Sequence, residues 1–144
     1  MKIFTIGFTK KSAEEFFTRL ATAGVRRVVD IRLNNTSQLA GFAKGRDLEY
    51  FLDAIAGIGY VHAPELTPTQ VLLDAFVKDK GAWSDYERGF TQLLDERRVA
   101  ETLSKKQFDG ACLLCSEDTP EHCHRRLVAE YLQKKWGGVE IVHL

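Results

Sequence analysis

Gly110-Ala-Cys-Leu-Leu-Cys115 runs directly into Ser116-Glu-Asp-Thr-Pro-Glu-His-Cys-His-Arg-Arg126, and this passage decides the fold. The opening residues are continuously apolar, without the polar alternation of a strand that has one wet face. That is the pattern of a strand buried on both sides of a parallel sheet. From Leu127 to Trp136 the apolar positions return at helical spacing, so an amphipathic helix follows. Between strand and helix lies one turn that carries Cys115, Glu117, Asp118, Glu121, His122, Cys123, His124 and Arg125. Parallel α/β proteins hold their ligands at turns of this kind.

Outward from this passage the pattern alternates. Lys2–Phe8 reads as a first strand. Ser12-Ala-Glu-Glu15 is a capping box, and Phe16, Phe17, Leu20 and Ala23 form a helical stripe that stops at Gly24. Val25–Ile31 is a second strand. The polar stretch from Leu33 to Arg46 reads as a mobile loop. Asp47 is expected to cap a helix through about Ile58, with a third strand at Gly59–Ala63. Pro68 is expected to open a further helix, and Ser84 to cap the next, with Phe90, Leu93 and Leu94 turned inward. Gly110–Cys115 is the fourth strand and Val139–Leu144 the fifth. Alternating strands and helices predict one three-layer α/β domain over residues 1–144, with a mainly parallel sheet of about five strands flanked by helices.

Composition sets the boundaries of function. The chain has 144 residues, 44% hydrophobic and 28% charged, which suits a single globular domain. Lys+Arg and Asp+Glu balance at 20 each, so no overall basic field argues for nucleic acid. No apolar stretch is long enough to cross a bilayer. The first residues read as strand rather than signal region, and three cysteines do not make a disulfide framework. A cytoplasmic, reduced protein with no membrane contact is the expectation. Oligomeric state is not legible.

In a parallel sheet all strand carboxyl ends lie along one edge. Those ends bring together Gly7-Phe-Thr9 and Lys10, Asp30-Ile-Arg32, His62 with Glu65, Cys115-Ser-Glu117, and His143 if the last strand is parallel. Asp30 and Arg32 stand two apart and point the same way. They can form an ion pair, or Arg32 can hold an anion while Asp30 orients a base or hydroxyl. Gly7 either makes a turn or admits a close ligand.

Cys112 and Cys115 have redox or zinc spacing, but side chains three apart on a strand face opposite ways. Cys112 therefore reads as core, and Cys115 stands at the start of the next helix, where a thiolate is stabilised. Asp118-Thr-Pro-Glu121 resembles a second capping box, placing Cys123 within the first turn. Cys123, Leu127 and Tyr131 share a face, so Cys123 is either packing or a partner of Cys115. Arg125 is the favoured anion clamp. A phosphatase loop needs arginine six residues after its cysteine, and that position is Glu121. Cys115, Cys123 and His124 or His122 offer zinc chemistry, but consecutive helical ligands diverge. No cofactor is predicted, with zinc as a lesser alternative.

Thr5-Ile-Gly-Phe-Thr9, Asp30-Ile-Arg32, Cys115-Ser-Glu117 and Cys123-His-Arg125 together resemble the DUF488 family, a domain of unknown function. The resemblance spans the chain. It implies a compact single-domain α/β protein of bacteria or archaea without an established activity, and points to Gly7, Asp30, Arg32, Cys115, Glu117, Cys123, His124 and Arg125. The loop Leu33-Asn-Asn-Thr-Ser-Gln38 departs from relatives that are richer in proline and serine.

Three functions follow as expectations. The first is a small cysteine-dependent hydrolase or transferase acting on a phosphorylated or nucleotide-like ligand. Cys115, Glu117, Asp30 and His124 would do its chemistry, Gly7, Thr9, Arg32, Cys123 and Arg125 would bind, and the loop from Leu33 would close over. The second is a non-catalytic nucleotide or nucleic-acid module, using Lys10, Lys11, Arg26, Arg27, Arg32, Lys44, Arg46, Arg125 and Arg126 with Phe8, Phe42 and Tyr60 for stacking. The third is a thiol redox or metal protein using Cys115 and Cys123. Trp83 and Tyr86 either cover the pocket or form a dimer contact.

Overall fold

A computed structural model describes residues 1–36 and 41–144. Part of the loop expected to close over the site, residues 37–40, lies outside the described residues. Among the described residues five strands form one sheet in which every pairing is parallel: β1 (Lys2–Gly7), β2 (Arg27–Asp30), β3 (Gly59–His62), β4 (Ala111–Cys115) and β5 (Glu140–His143). Their order is β3-β2-β4-β1-β5. The expected fold class is the observed one.

All five residues of β4 are buried, which is why their run is apolar throughout. Alternate residues serve two cores. On one face Ile3, Val29, Ile31, Leu113 and Cys115 meet α4 (Trp83–Glu96) and α7 (His124–Trp136) through Phe90, Leu94, Leu127, Val128 and Leu132. On the other, Phe4, Ile6, Val28, Cys112 and Leu114 meet α1 (Ala13–Ala23) and α2 (Gly45–Phe51) through Phe16, Phe17, Leu20 and Leu48. Cys112 and Cys115 thus sit in opposite cores, as their spacing requires. Each fully buried Leu, Ile or Phe contributes about 1.5–3 kcal/mol.

Helices α1 and α3 start at side-chain caps. Ser12 Oγ accepts from Glu15 N–H at 3.1 Å, and Gly24 ends α1 at φ 77°. Thr69, not Pro68, caps α3 (Gln70–Val77), its Oγ1 accepting from Leu72 N–H. Pro68, expected as the first helical residue, stands two positions before it, because Thr69 takes the cap position. Helix α2 starts at Gly45, ahead of Asp47, and continues as a π-turn over Leu52–Ala56. Helix α4 starts at Trp83 with Ala82 before it, so Ser84 lies inside the first turn. Two short helices, α5 (Val99–Thr102) and α6 (Lys105–Phe108), lead into β4.

The chain leaves β1 and β2 toward the α1/α2 face, but leaves β4 toward the α7 face. Strand β4 is flanked on both sides by strands whose connections depart the other way. This divergence opens a crevice at the carboxyl ends of β2 and β4.

Candidate functional site

The turn after β4 is held from three directions. Thr9 donates both its N–H and its Oγ1–H to the Ser116 carbonyl. Lys11 Nζ pairs with Asp118 at 3.1 Å, and this partner holds the Asp118 carboxyl below its ordinary range. Arg125, 1% exposed, donates to the carbonyls of Glu117 and Asp118. Its guanidinium is therefore a brace for backbone, not the open anion clamp expected from sequence. Nε of Arg125 is buried without a hydrogen-bond partner among the described residues. Gly7 lies opposite, in register with Cys115, where a Cβ would collide with the Glu117 carbonyl and the Arg125 guanidinium. Glycine is required there for packing.

Asp30 and Arg32 are likewise committed to each other. Both are buried, and Arg32 Nε and Nη2 donate to the two Asp30 oxygens at 2.8 Å each. Arg32 N–H adds a third bond and the Tyr60 hydroxyl a fourth, at 2.6 Å. Burial and the Asp30 carboxylate push Tyr60 up to about 12. The Arg32 guanidinium also lies 5.4 Å from the Phe8 ring centroid. Of the two alternatives for this pair, the ion pair is what forms. His143 hydrogen-bonds with Thr5 on the neighbouring strand, outside the cavity lining.

The cysteines define the centre. Cys115 and Cys123 are joined as a disulfide. Helix α7 begins at His124, so Cys123 is its N-cap, extended at φ −131° and ψ 138°. The capping-box pattern at Asp118 does not start the helix. Pro120 instead closes a turn in which Cys123 N–H donates to the Pro120 carbonyl. Because Cys123 is extended, it and His124 escape the divergence of consecutive helical side chains. The ligating atoms of Cys115, Cys123 and His124 lie within 4.8 Å of one another.

His124 Nε2 is 2.6 Å from the Ile31 carbonyl. A carbonyl only accepts, so Nε2 carries the proton and Nδ1 the lone pair. The Phe90 ring stands edge-on at 5.6 Å. Burial lowers the His124 imidazole from 6.5 to about 4, outweighing the bond to Ile31. A histidine kept neutral by folding stabilises the fold fully above the unfolded value and progressively less as pH falls toward the folded one. Urea unfolding of metal-free protein is therefore expected to show stability falling between pH 6.5 and 4, more steeply than in His124→Gln. Equal slopes would show that His124 titrates normally.

These groups border a cavity of about 350 Å³. Arg32, Ser116, Glu117, Cys115, Cys123 and His124 form one side, and Leu73, Phe76, Trp83, Tyr86 and His122 another. Trp83 stacks on His122 with centroids 5.0 Å apart. Trp83 and Tyr86 thus line the pocket, one of the two roles open in the sequence. The carboxylate of Glu117 is exposed at the rim. Pro68, Leu73 and Phe76 are contributors that sequence reading missed. Their signal was weak, because apolar residues at helical spacing look the same whether they face a core or a cavity.

Not all of the cations lie along one edge of the sheet. Arg27 begins β2, whereas Lys10 and Lys11 follow the carboxyl end of β1, so they sit at opposite sheet edges. Arg126 pairs with Glu130 at 3.2 Å. No helix among the described residues is long and apolar enough to cross a membrane.

A family model described as a domain of unknown function, DUF488, matches residues 12–132. No curated protein and no solved structure matches the chain.

Proposed function

The chain belongs to the DUF488 family, and from that premise we propose that it is a dithiol–disulfide exchange protein working through Cys115 and Cys123. The observation that carries this reading is the disulfide between them at the wall of the cavity. Outside disulfide-stapled scaffolds, a single bond between residues at a ligand site is characteristic of redox work. It spans only eight residues, so its worth as a staple is modest.

Roles follow from position. Cys123 caps a 13-residue helix, whose N-terminal N–H groups stabilise a thiolate there. It is the attacking sulfur. The Cys123 thiolate attacks a substrate disulfide, forming a mixed disulfide and releasing one substrate thiolate. Cys115 then loses its proton and attacks the Cys123 sulfur, closing the internal disulfide and releasing the second thiolate. The His124 imidazole, whose ligating nitrogen lies within 4.8 Å of both sulfurs, is the group placed to pass that proton on to solvent. Leu73, Phe76, Trp83 and Tyr86 favour a substrate whose disulfide is carried beside an apolar or aromatic group.

An anion held by Arg32 and Arg125 is less well supported. Both guanidinia are buried and already hydrogen-bonded, one to a carboxylate and one to two carbonyls.

Reduced protein mixed with a peptide disulfide, then quenched in acid and weighed by mass spectrometry, tests the reading. Wild type is expected to return oxidised by two hydrogens with the peptide reduced. Cys115→Ser is expected to stall as the mixed disulfide, and Cys123→Ser to fall to the uncatalysed background. Wild-type turnover in either variant would remove the pair from the chemistry. Cys112→Ser, in the opposite core, keeps full exchange.

A further inference from the structure

The geometry points to a metal site: we infer that, when reduced, Cys115, Cys123 and His124 bind one divalent ion of the zinc class, with a fourth position open to the cavity. The inference uses the same two sulfurs as the exchange reading but does not depend on exchange occurring.

Three observations support it. The ligating atoms of the three residues lie within 4.8 Å of one another, close enough to converge on one ion. The His124 ring is held by its Nε2–H on the Ile31 carbonyl, which leaves Nδ1 as the ligand atom. Metal-binding histidines are oriented by such a bond from their second nitrogen. Finally, Cys123 is extended rather than helical, so two consecutive residues serve one centre.

The chemistry is self-consistent. Two thiolates, one neutral imidazole and a divalent ion sum to zero charge, so nothing further must be neutralised in a largely buried place. Thiolate and imidazole select zinc over calcium or magnesium. Two cysteines and one histidine leave the fourth tetrahedral position to water or to a substrate thiolate. All three residues line the cavity, so that position faces it.

Disulfide formation and metal binding exclude each other, because the bonded sulfurs no longer carry thiolate lone pairs. A substrate disulfide acting as oxidant takes two electrons from the two thiolates. It leaves as two substrate thiolates, while Cys115 and Cys123 join and the ion is released. The ion thereby guards the reduced pair until a disulfide of sufficient oxidising strength arrives.

Cobalt(II) is the probe, because tetrahedral thiolate coordination gives visible and near-ultraviolet bands. Protein reduced with a phosphine is expected to bind one equivalent with those bands, and the oxidised wild type to bind none. The double variant Cys115→Ser/Cys123→Ser loses the bands, and His124→Gln weakens binding and shifts them. Binding by reduced wild type no greater than by the double variant, or equal binding by the oxidised protein, overturns the site. Peptide-disulfide exchange measured on the same samples with chelator present separates the two readings. Exchange without cobalt binding removes the metal site alone, and cobalt binding without exchange removes the dithiol chemistry alone.

Discussion

Asp30→Asn is expected to cost about 3–5 kcal/mol of folding stability, because it strands the guanidinium of Arg32 in a buried place without its counter-charge. Asp30 is wholly buried and Arg32 3% exposed, so water cannot replace the lost bonds. Arg32→Met is expected to be destabilising too, since it leaves the Asp30 carboxylate without its counter-charge, held only by the backbone N–H of residue 32 and the Tyr60 hydroxyl. The double variant Asp30→Asn/Arg32→Met should cost less than the sum, because each single change leaves a partner unpaired and the double change does not. Tyr60→Phe removes one hydrogen bond to a charged acceptor and should cost about 1.5–3 kcal/mol. Urea unfolding midpoints of the four variants measure this cycle. Additive costs would show that Asp30 and Arg32 do not act as a pair.

Gly7→Ala carries the second large effect. The new methyl group must displace either β1, paired on both sides in the sheet, or the Glu117 carbonyl, held by Arg125. Neither is the loose end of a flexible side chain, so the cost lies at the upper end for overpacking, about 3 kcal/mol. For a domain of this size that is about 10 °C in thermal midpoint. The same change pushes the turn that positions Cys115 away from Cys123. Exchange is therefore expected to slow even at temperatures where the variant is folded. A variant with wild-type midpoint would mean that the turn relaxes freely. Arg125→Met distinguishes brace from clamp: it should lower stability strongly, whether or not any anion is present.

The sheet was legible because parallel strands buried on both faces leave continuous apolar runs, and Ala111–Cys115 is the clearest. The edge of the sheet that carries the site followed from the same fact. What the sequence could not convey was which way a charged tip turns once it arrives there. Arg32 lies beyond the end of β2, and the chain there curls enough for its backbone and side chain to reach Asp30 together. Arg125 reaches back to carbonyls seven and eight residues earlier, and backbone acceptors leave no trace in residue type. The glycine at position 7 was the one visible sign of that close approach, and it reads equally well as a turn. The helix start was misplaced because Asp118-Thr-Pro-Glu121 imitates a capping box. Pro120 there closes a turn instead, and the true cap is a cysteine, a residue outside the usual capping set.

The strand order has a consequence for how the polypeptide matures during synthesis. Strands β1 and β2 are made early but do not touch, since β4 lies between them and is separated from β2 by some eighty residues. A nascent chain that ends before Ala111 holds the β2–β3 pair and a lone β1, with no spine to join them. Its apolar edges stay open for most of translation, and the structure snaps together only as the last quarter leaves the ribosome. Newly made chains are accordingly expected to lean on chaperones, and C-terminal truncations before β4 to aggregate rather than persist as smaller folded pieces.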